Sequence, residues 1–280
     1  MVRRILVGLG ATAFARSEVL HAVELAQRYN AELTGVTVVD LRRLDHVGPV
    51  PIGADSAATQ LRSRRHEDAH RHVEEAIATF VSACREAGVR HHVKHEERAD
   101  AFDLLISEGR YHDLVVLGLH GVFEGGLLQE APGEASETLA RLISSGVRPI
   151  VAVAEQYRPI RKVLIAYSGS MESAKTMKQF AQFRPWLSAA VRVVVFNHTP
   201  ERASRLLRGA EEFLHAHGIA AEVLHVPGLP HDQILPHAAD WNADLIVLGN
   251  SAKNLMLRRV LGETALRVMR AADRPLFLSQ

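Results

Sequence analysis

Three short patterns occur twice in this 280-residue chain, and in the same order. Arg4-Ile5-Leu6-Val7-Gly8 is echoed by Lys162-Val163-Leu164-Ile165-Ala166. His112-Asp113-Leu114-Val115-Val116-Leu117-Gly118 is echoed by Ala243-Asp244-Leu245-Ile246-Val247-Leu248-Gly249. Arg148-Pro149-Ile150-Val151-Ala152-Val153 is echoed by Arg274-Pro275-Leu276-Phe277-Leu278-Ser279. An ordered repeat constrains the architecture before any local reading does, because each copy must build the same unit. It divides the chain into units 1–155 and 159–280, parted in the polar stretch Glu155-Gln156-Tyr157-Arg158-Pro159.

Each unit reads as strands alternating with helices. Short continuous apolar runs mark strands at Arg4–Leu9, Leu33–Val39, Leu114–Gly118 and Ile150–Val153 in the first half. The second half offers Val163–Tyr167, Val191–Phe196, Glu222–Val226, Leu245–Gly249 and Leu276–Leu278. Runs that do not alternate belong to strands covered on both faces, hence to a parallel sheet. The segments between have helical period, as in Ser17–Tyr29, where Val19, Leu20, Ala22, Val23, Leu25 and Ala26 form a broad stripe. The fold class is therefore α/β, with two tandem doubly wound parallel-sheet domains of Rossmann-like type. In such domains ligands sit at the carboxyl ends of the strands.

Composition removes other classes. With 47% hydrophobic residues the chain can build a core, so wholesale disorder is excluded. Lys plus Arg is 33 and Asp plus Glu 32; the net charge of +1 argues against a nucleic-acid binder. A single cysteine, Cys84, excludes a disulfide framework and a cysteine-based zinc cluster. No apolar stretch approaches the roughly 18 residues of a membrane span. The basic start Met1–Gly8 lacks a signal-peptide core, so a cytoplasmic location is expected.

The loops after the strands carry the chemistry. The first half's fourth strand ends in Gly118-Leu119-His120-Gly121, and its counterpart in Gly249-Asn250-Ser251-Ala252. Nine residues then separate Ala252 from Gly262-Glu263-Thr264 at a helix start. A glycine loop opening a helix can present backbone N–H groups to a phosphate. Strand, G-x-x-G turn, nine-residue spacer, glycine, amphipathic helix and Arg-Pro strand together resemble the universal stress protein family, over both halves. That resemblance implies a pseudo-dimer within one chain, in which Pro149–Val153 pairs with Pro275–Ser279. It also implies ATP or a related nucleotide as ligand. The residues so placed are Leu9, Gly10, Val38, Gly118, His120, Gly121, Ser136 and Glu137 in the first half. In the second they are Tyr167, Ser168, Gly169, Gly249, Ser251, Gly262, Glu263 and Thr264.

The sequence departs from the family's ATP pattern. Ala252 replaces the second glycine, and Glu263 stands where Ser or Thr would meet a phosphate. In the first half eleven residues separate Gly121 from Gly133-Glu134, whereas alignment on the Arg-Pro pair sets Ser136-Glu137-Thr138 opposite Gly262-Glu263-Thr264. Either way a glutamate follows the small residue, and a carboxylate there repels phosphate. It also complements the helix dipole with no ligand at all. The family's Asp after the first strand is Gly10 here, and Ser168 in the second half. Ser168-Gly169-Ser170 suits both a ligand and a helix N-cap.

His66-Glu67-Asp68-Ala69-His70 matches H-E-x-x-H on one long helix over Ser56–Ala87. Two imidazoles one turn apart suit zinc. Yet His66 and His70 continue the stripe of Val73, Ile77, Phe80 and Cys84, which reads as core, and no third ligand follows at metalloprotease spacing. Zinc is therefore disfavoured. The cluster His91-His92-Val93-Lys94-His95 reads as a charged strand edge. No G-x-S-x-G elbow or P-loop occurs, and no catalytic constellation emerges. Two readings remain: a nucleotide-binding stress regulator acting through a protein partner, or a nucleotide-free interaction module of the same fold. A third is a binder of a different small molecule, with the glutamates contacting hydroxyl-bearing or cationic groups. Neither nucleic acid nor membrane is an expected partner; a homodimer of such chains is compatible with all three.

Overall fold

The structure, a computed structural model, describes residues 2–10, 12–40, 55–98, 101–119, 142–143, 145, 147, 149–249 and 262–279. The first half runs β1 (Arg4–Gly8), α1 (Ala15–Tyr29), β2 (Glu32–Asp40), α2 (Asp55–Glu86), β3 (His91–Arg98), α3 (Ala101–Gly109), β4 (Leu114–Gly118) and β5 (Ile150–Val153). The second runs β6 (Lys162–Ala166), α4 (Met171–Phe183), β7 (Ala190–Phe196), α5 (Pro200–Ala216), β8 (Ala221–Val226), α6 (Pro230–Asp240), β9 (Leu245–Gly249), α7 (Glu263–Ala271) and β10 (Leu276–Ser279). Among the described residues no helix is long and apolar enough to cross a membrane.

All ten strands form one sheet in the order β3-β2-β1-β4-β5-β10-β9-β6-β7-β8. Read outward from the middle, each half repeats the same order. Every pairing is parallel except the central one, where β10 runs antiparallel to β5 with Phe277 opposite Val151. The two strands cover each other's edge, which would otherwise offer unpaired backbone groups. The expected pairing of Pro149–Val153 with Pro275–Ser279 is thus the joint of the molecule, and the two doubly wound units form the intramolecular pseudo-dimer.

Both faces of the sheet are buried, as the unbroken apolar strands required. Ile5, Val7, Val163 and Ile165 pack with α1, α2, α4 and α5 on one face. Leu6, Leu164 and Ala166 point to the other, with α3, α6 and α7. Phe180 of α4 meets Phe277 of β10 edge to face at 5.7 Å, next to the joint.

The polar residues of the repeat have matching duties. Asp113 Oδ2 accepts from the backbone N–H groups of Arg3 and Arg4, at 2.7 and 3.0 Å. Asp244 Oδ2 accepts from Arg161 and Lys162, both at 2.9 Å. Each aspartate so pins the start of the neighbouring strand. Arg274, before the last strand, is buried and donates at 2.9 Å to the carbonyls of Ala238, near the end of α6, and Ala243, in the connection to β9.

The long helix α2 corrects one expectation. Its buried stripe is Ala58, Ala69, Ala76, Phe80 and Cys84. Val73, Ile77 and His66 are only half-buried and His70 is exposed. One residue of offset turns a side chain about 100° around a helix, enough to carry His70 from the core stripe defined by Ala69 out to solvent. Its Nε2 stands 3.8 Å from Glu97 Oε1. Cys84 is packed inside, and burial pushes its thiol up to about 11, as befits a core residue.

Candidate functional site

The described candidate residues lie at or just after the carboxyl ends of strands, except Gly262, Glu263 and Thr264, which open α7. In the first half the chain leaves β1 through Leu9, whose N–H donates to Val36 O at 2.8 Å. Leu9 is buried and Gly10 follows it. These two, with Ala15 and Val19 of α1 and His72, Glu75, Ala76 and Thr79 of α2, line a cavity of about 310 Å³. Gly118 pairs in register with Val153. Val38 lies in β2 in register with Glu96. His120, Gly121, Ser136, Glu137 and Ser251 lie outside the described residues.

The second half is built alike but closed differently. Tyr167 N–H donates to Val194 O at 2.9 Å, the counterpart of the Leu9 bond. Ser168, Ser170 and Ser173 then hold one another: Ser168 Oγ lies 3.1 Å from both other hydroxyls. Ser170 Oγ accepts from Ser173 N–H at 3.2 Å, capping α4. Gly169 has φ +73°, and a Cβ there would meet Leu206 Cδ2 at 2.5 Å. Gly249 ends β9 against the first turn of α4; a Cβ would come within 2.5 Å of Ser173 Cα and 2.7 Å of its N. Backbone conformation favours glycine at 169, and packing against backbone demands it at 249, with no ligand needed for either.

At the start of α7 Gly262 occupies the N-cap position without a side-chain cap. Glu263 is exposed and pairs with Arg267 at 2.7 Å, one turn on. Its carboxylate serves the helix: it complements the amino end and a cation four residues away. Thr264 is half-buried beside it.

The least expected feature lies on α1. Ser17, Glu18 and His21 are buried, and among the described residues their five side-chain polar atoms find no close hydrogen-bond partner. Burial pushes the Glu18 carboxyl well above the usual carboxylate range, opposed in part by the backbone of Gly118. Burial drives His21 down to about 4. The His21 ring leans on Tyr157 at 4.7 Å, whose hydroxyl donates to Glu24 Oε2 at 3.2 Å. The apolar stripe of Ser17–Tyr29 concealed this. Leu20 and Val23 are only half-buried, and the inward arc is centred on Ala22 and Leu25. The i, i+4, i+7 ladder Glu18–Ala22–Leu25 was the available signal.

For the H-E-x-x-H pair, among the described residues no group of three or more His, Cys, Asp or Glu side chains is placed to hold a metal. His70 and His95 each approach Glu97 Oε1, at 3.8 and 3.9 Å.

Comparison with known proteins places this geometry. A universal stress protein from Archaeoglobus fulgidus aligns over 99% of this chain and 98% of its own, at 20% identity and a TM-score of 0.65. One from Pseudomonas aeruginosa, described as putative, aligns over 99% and 93%, at 13% identity and a TM-score of 0.64. A universal stress protein solved in complex with cAMP matches 44% of this chain and 98% of its own, at 22% identity and a TM-score of 0.39. No curated protein matches. The profile of the universal stress protein family matches residues 1–152 and 187–279, and the chain belongs to that family.

Proposed function

We propose that this chain is a tandem universal stress protein that binds a nucleotide-type ligand and acts in a stress response through a protein partner. Its working units are residues 1–155 and 159–280. What carries the reading is the cavity at Leu9 and Gly10, at the carboxyl edge of the first half, where a doubly wound domain takes its ligand. In the second half the phosphate-binding positions are otherwise engaged. Glu263 is engaged by Arg267, and the hydroxyls of Ser168 and Ser170 are spent on each other and on the α4 cap. The first half is accordingly the binding half, in a cytoplasmic protein. The test is to release small molecules from freshly purified, denatured protein, identify them, and titrate ATP by calorimetry. A co-purified nucleotide, or heat of binding below millimolar ATP, is the expected result; neither one would end the reading.

One observation favours the nucleotide-free interaction module instead. Gly249 is required by the backbone of Ser173 whether or not a ligand binds. The second half's glycine turn is thus consistent with a purely structural duty, and that half serves the fold and its partners.

A further inference from the structure

Helix α5 carries a glycine for which the fold itself gives no reason. The buried side of the helix is the ladder Ala203, Leu207, Ala210 and Leu214. On the opposite side Arg202, Arg205, Gly209, Glu212 and Ala216 are all exposed. At about 100° per residue these five fall within one stripe along the helix. Gly209 lies in the middle of it, where glycine costs stability relative to alanine. A Cβ at this position would meet nothing within 4 Å, and its φ is not positive, so neither packing nor backbone conformation calls for glycine. What the missing side chain leaves is room for another backbone to approach from outside. The charges on the stripe are ordered as well. Arg202 and Arg205 precede Gly209, and Glu212 follows it. Arg205 and Glu212 stand about 10 Å apart along the axis, with the glycine between them. Among the described residues neither side chain has an ion pair or hydrogen bond. An acidic partner would match the arginines and be repelled by Glu212, and a basic partner would meet the reverse. The same stripe run backwards complements its whole length. The central strands β5 and β10 are already spent on each other, so a second copy needs a different surface.

We propose that α5 is a self-association surface, on which a second copy of this chain docks antiparallel with Gly209 near the two-fold axis. Arg205 of each copy then faces Glu212 of the other, so the symmetry makes two ion pairs, one on either side of the crossing. Gly209 lets the two helices approach closely between them. Leu206 and Phe213, half-buried on one flank of the stripe, supply apolar contact. One helix against its copy lies at the small end of specific interfaces, so the dimer is reversible, with a Kd on the order of 10 μM. Nothing in this contact requires a bound nucleotide.

The experiment is sedimentation equilibrium of the full chain from about 1 to about 500 μM, a range that brackets the expected Kd. The parent is expected to pass from monomer to dimer. Arg205→Glu and Glu212→Arg are each expected to weaken the dimer about tenfold or more, because like charges then meet at both ends of the contact. The double variant Arg205→Glu/Glu212→Arg restores opposite charges and is expected to return to within about threefold of the parent. Gly209→Leu places a side chain in space that is open in the monomer, and is expected to weaken the dimer about tenfold. All three positions are exposed, so the fold is retained, which circular dichroism checks. A parent that stays monomeric throughout the range overturns the proposal. A dimer that none of the variants weakens overturns it too, because that dimer uses another surface. Loss in both single charge variants with no recovery in the double variant overturns the antiparallel arrangement.

Discussion

Set side by side, α1 and α4 are the same helix of the repeat built to opposite ends. Counted from the helix start, Ser17 matches Ser173 and His21 matches Met177. In α4 the polar groups near the strand ends satisfy one another, and the residues facing the joint are Met177, Phe180 and Ala181. In α1 the equivalent face buries Ser17, Glu18 and His21, whose side-chain polar atoms have no close hydrogen-bond partner among the described residues. Unpaired buried polar groups cost about 1–3 kcal/mol each. The second half therefore spends its polar residues on holding itself shut, while the first buries three polar side chains of α1 near Gly118 and Tyr157.

The largest test of this contrast is Phe180→Ala. Phe180 is fully buried against Phe277, and its removal is expected to cost about 3–5 kcal/mol in chemical denaturation. Gly249→Ala comes next. Its new methyl meets backbone rather than a movable side chain, so α4 must shift, at about 3 kcal/mol. A loss under ~1 kcal/mol would mean that the second half is looser than its packing says.

The penalty in α1 has a pH signature. His21 falls from its ordinary 6.5 to about 4, so the fold keeps it neutral; that stability is present above 6.5 and lost as pH falls toward 4, on the order of 3 kcal/mol. Glu18 is raised above its ordinary 4.5, so its contribution is full below 4.5 and is lost as pH rises through the folded value. The groups facing this pair are Ser17 and Glu24 on α1, Tyr157, Trp186 and the Gly118 backbone. Between 4.5 and 6.5 the two trends oppose each other. Glu18→Gln should leave stability rising with pH over that interval. His21→Met should leave it falling. Parallel curves for parent and both variants would show that the buried pair does not titrate with folding.

Much of this was legible in the sequence. The echoes of Asp113 in Asp244 and of the Arg-Pro strands marked the repeat, and the family resemblance supplied the joint: the aspartates pin strand starts, and the Arg-Pro strands meet at the centre of the sheet. The site was legible only as a place. Leu9 and Gly10 follow from where β1 ends, but His72 and Glu75 belong to a helix whose rotation about its axis a one-residue offset decides, the same offset that misplaced His70. Glu18 and His21 were hidden because hydrophobic patterning assigns charge to the outside, and here it lies within.

The smallest difference between the halves is at the caps. Ser170 caps α4 through its side chain, whereas Phe14 opens α1 without a side-chain cap, and Thr12 Oγ1 accepts from Phe14 N–H at 3.2 Å. Ser170→Ala should cost about 1 kcal/mol, because it also frees the hydroxyls of Ser168 and Ser173 from their shared network. Thr12→Val should cost only a few tenths of a kcal/mol, since the bond it removes lies outside the helix proper and its donor is partly solvated. Measured by urea denaturation, the two losses rank the stiffness of the two strand-to-helix turns. An equal loss at both would mean that the first half's turn is held as firmly as the second's, and that its cavity owes nothing to a looser entry into the helix.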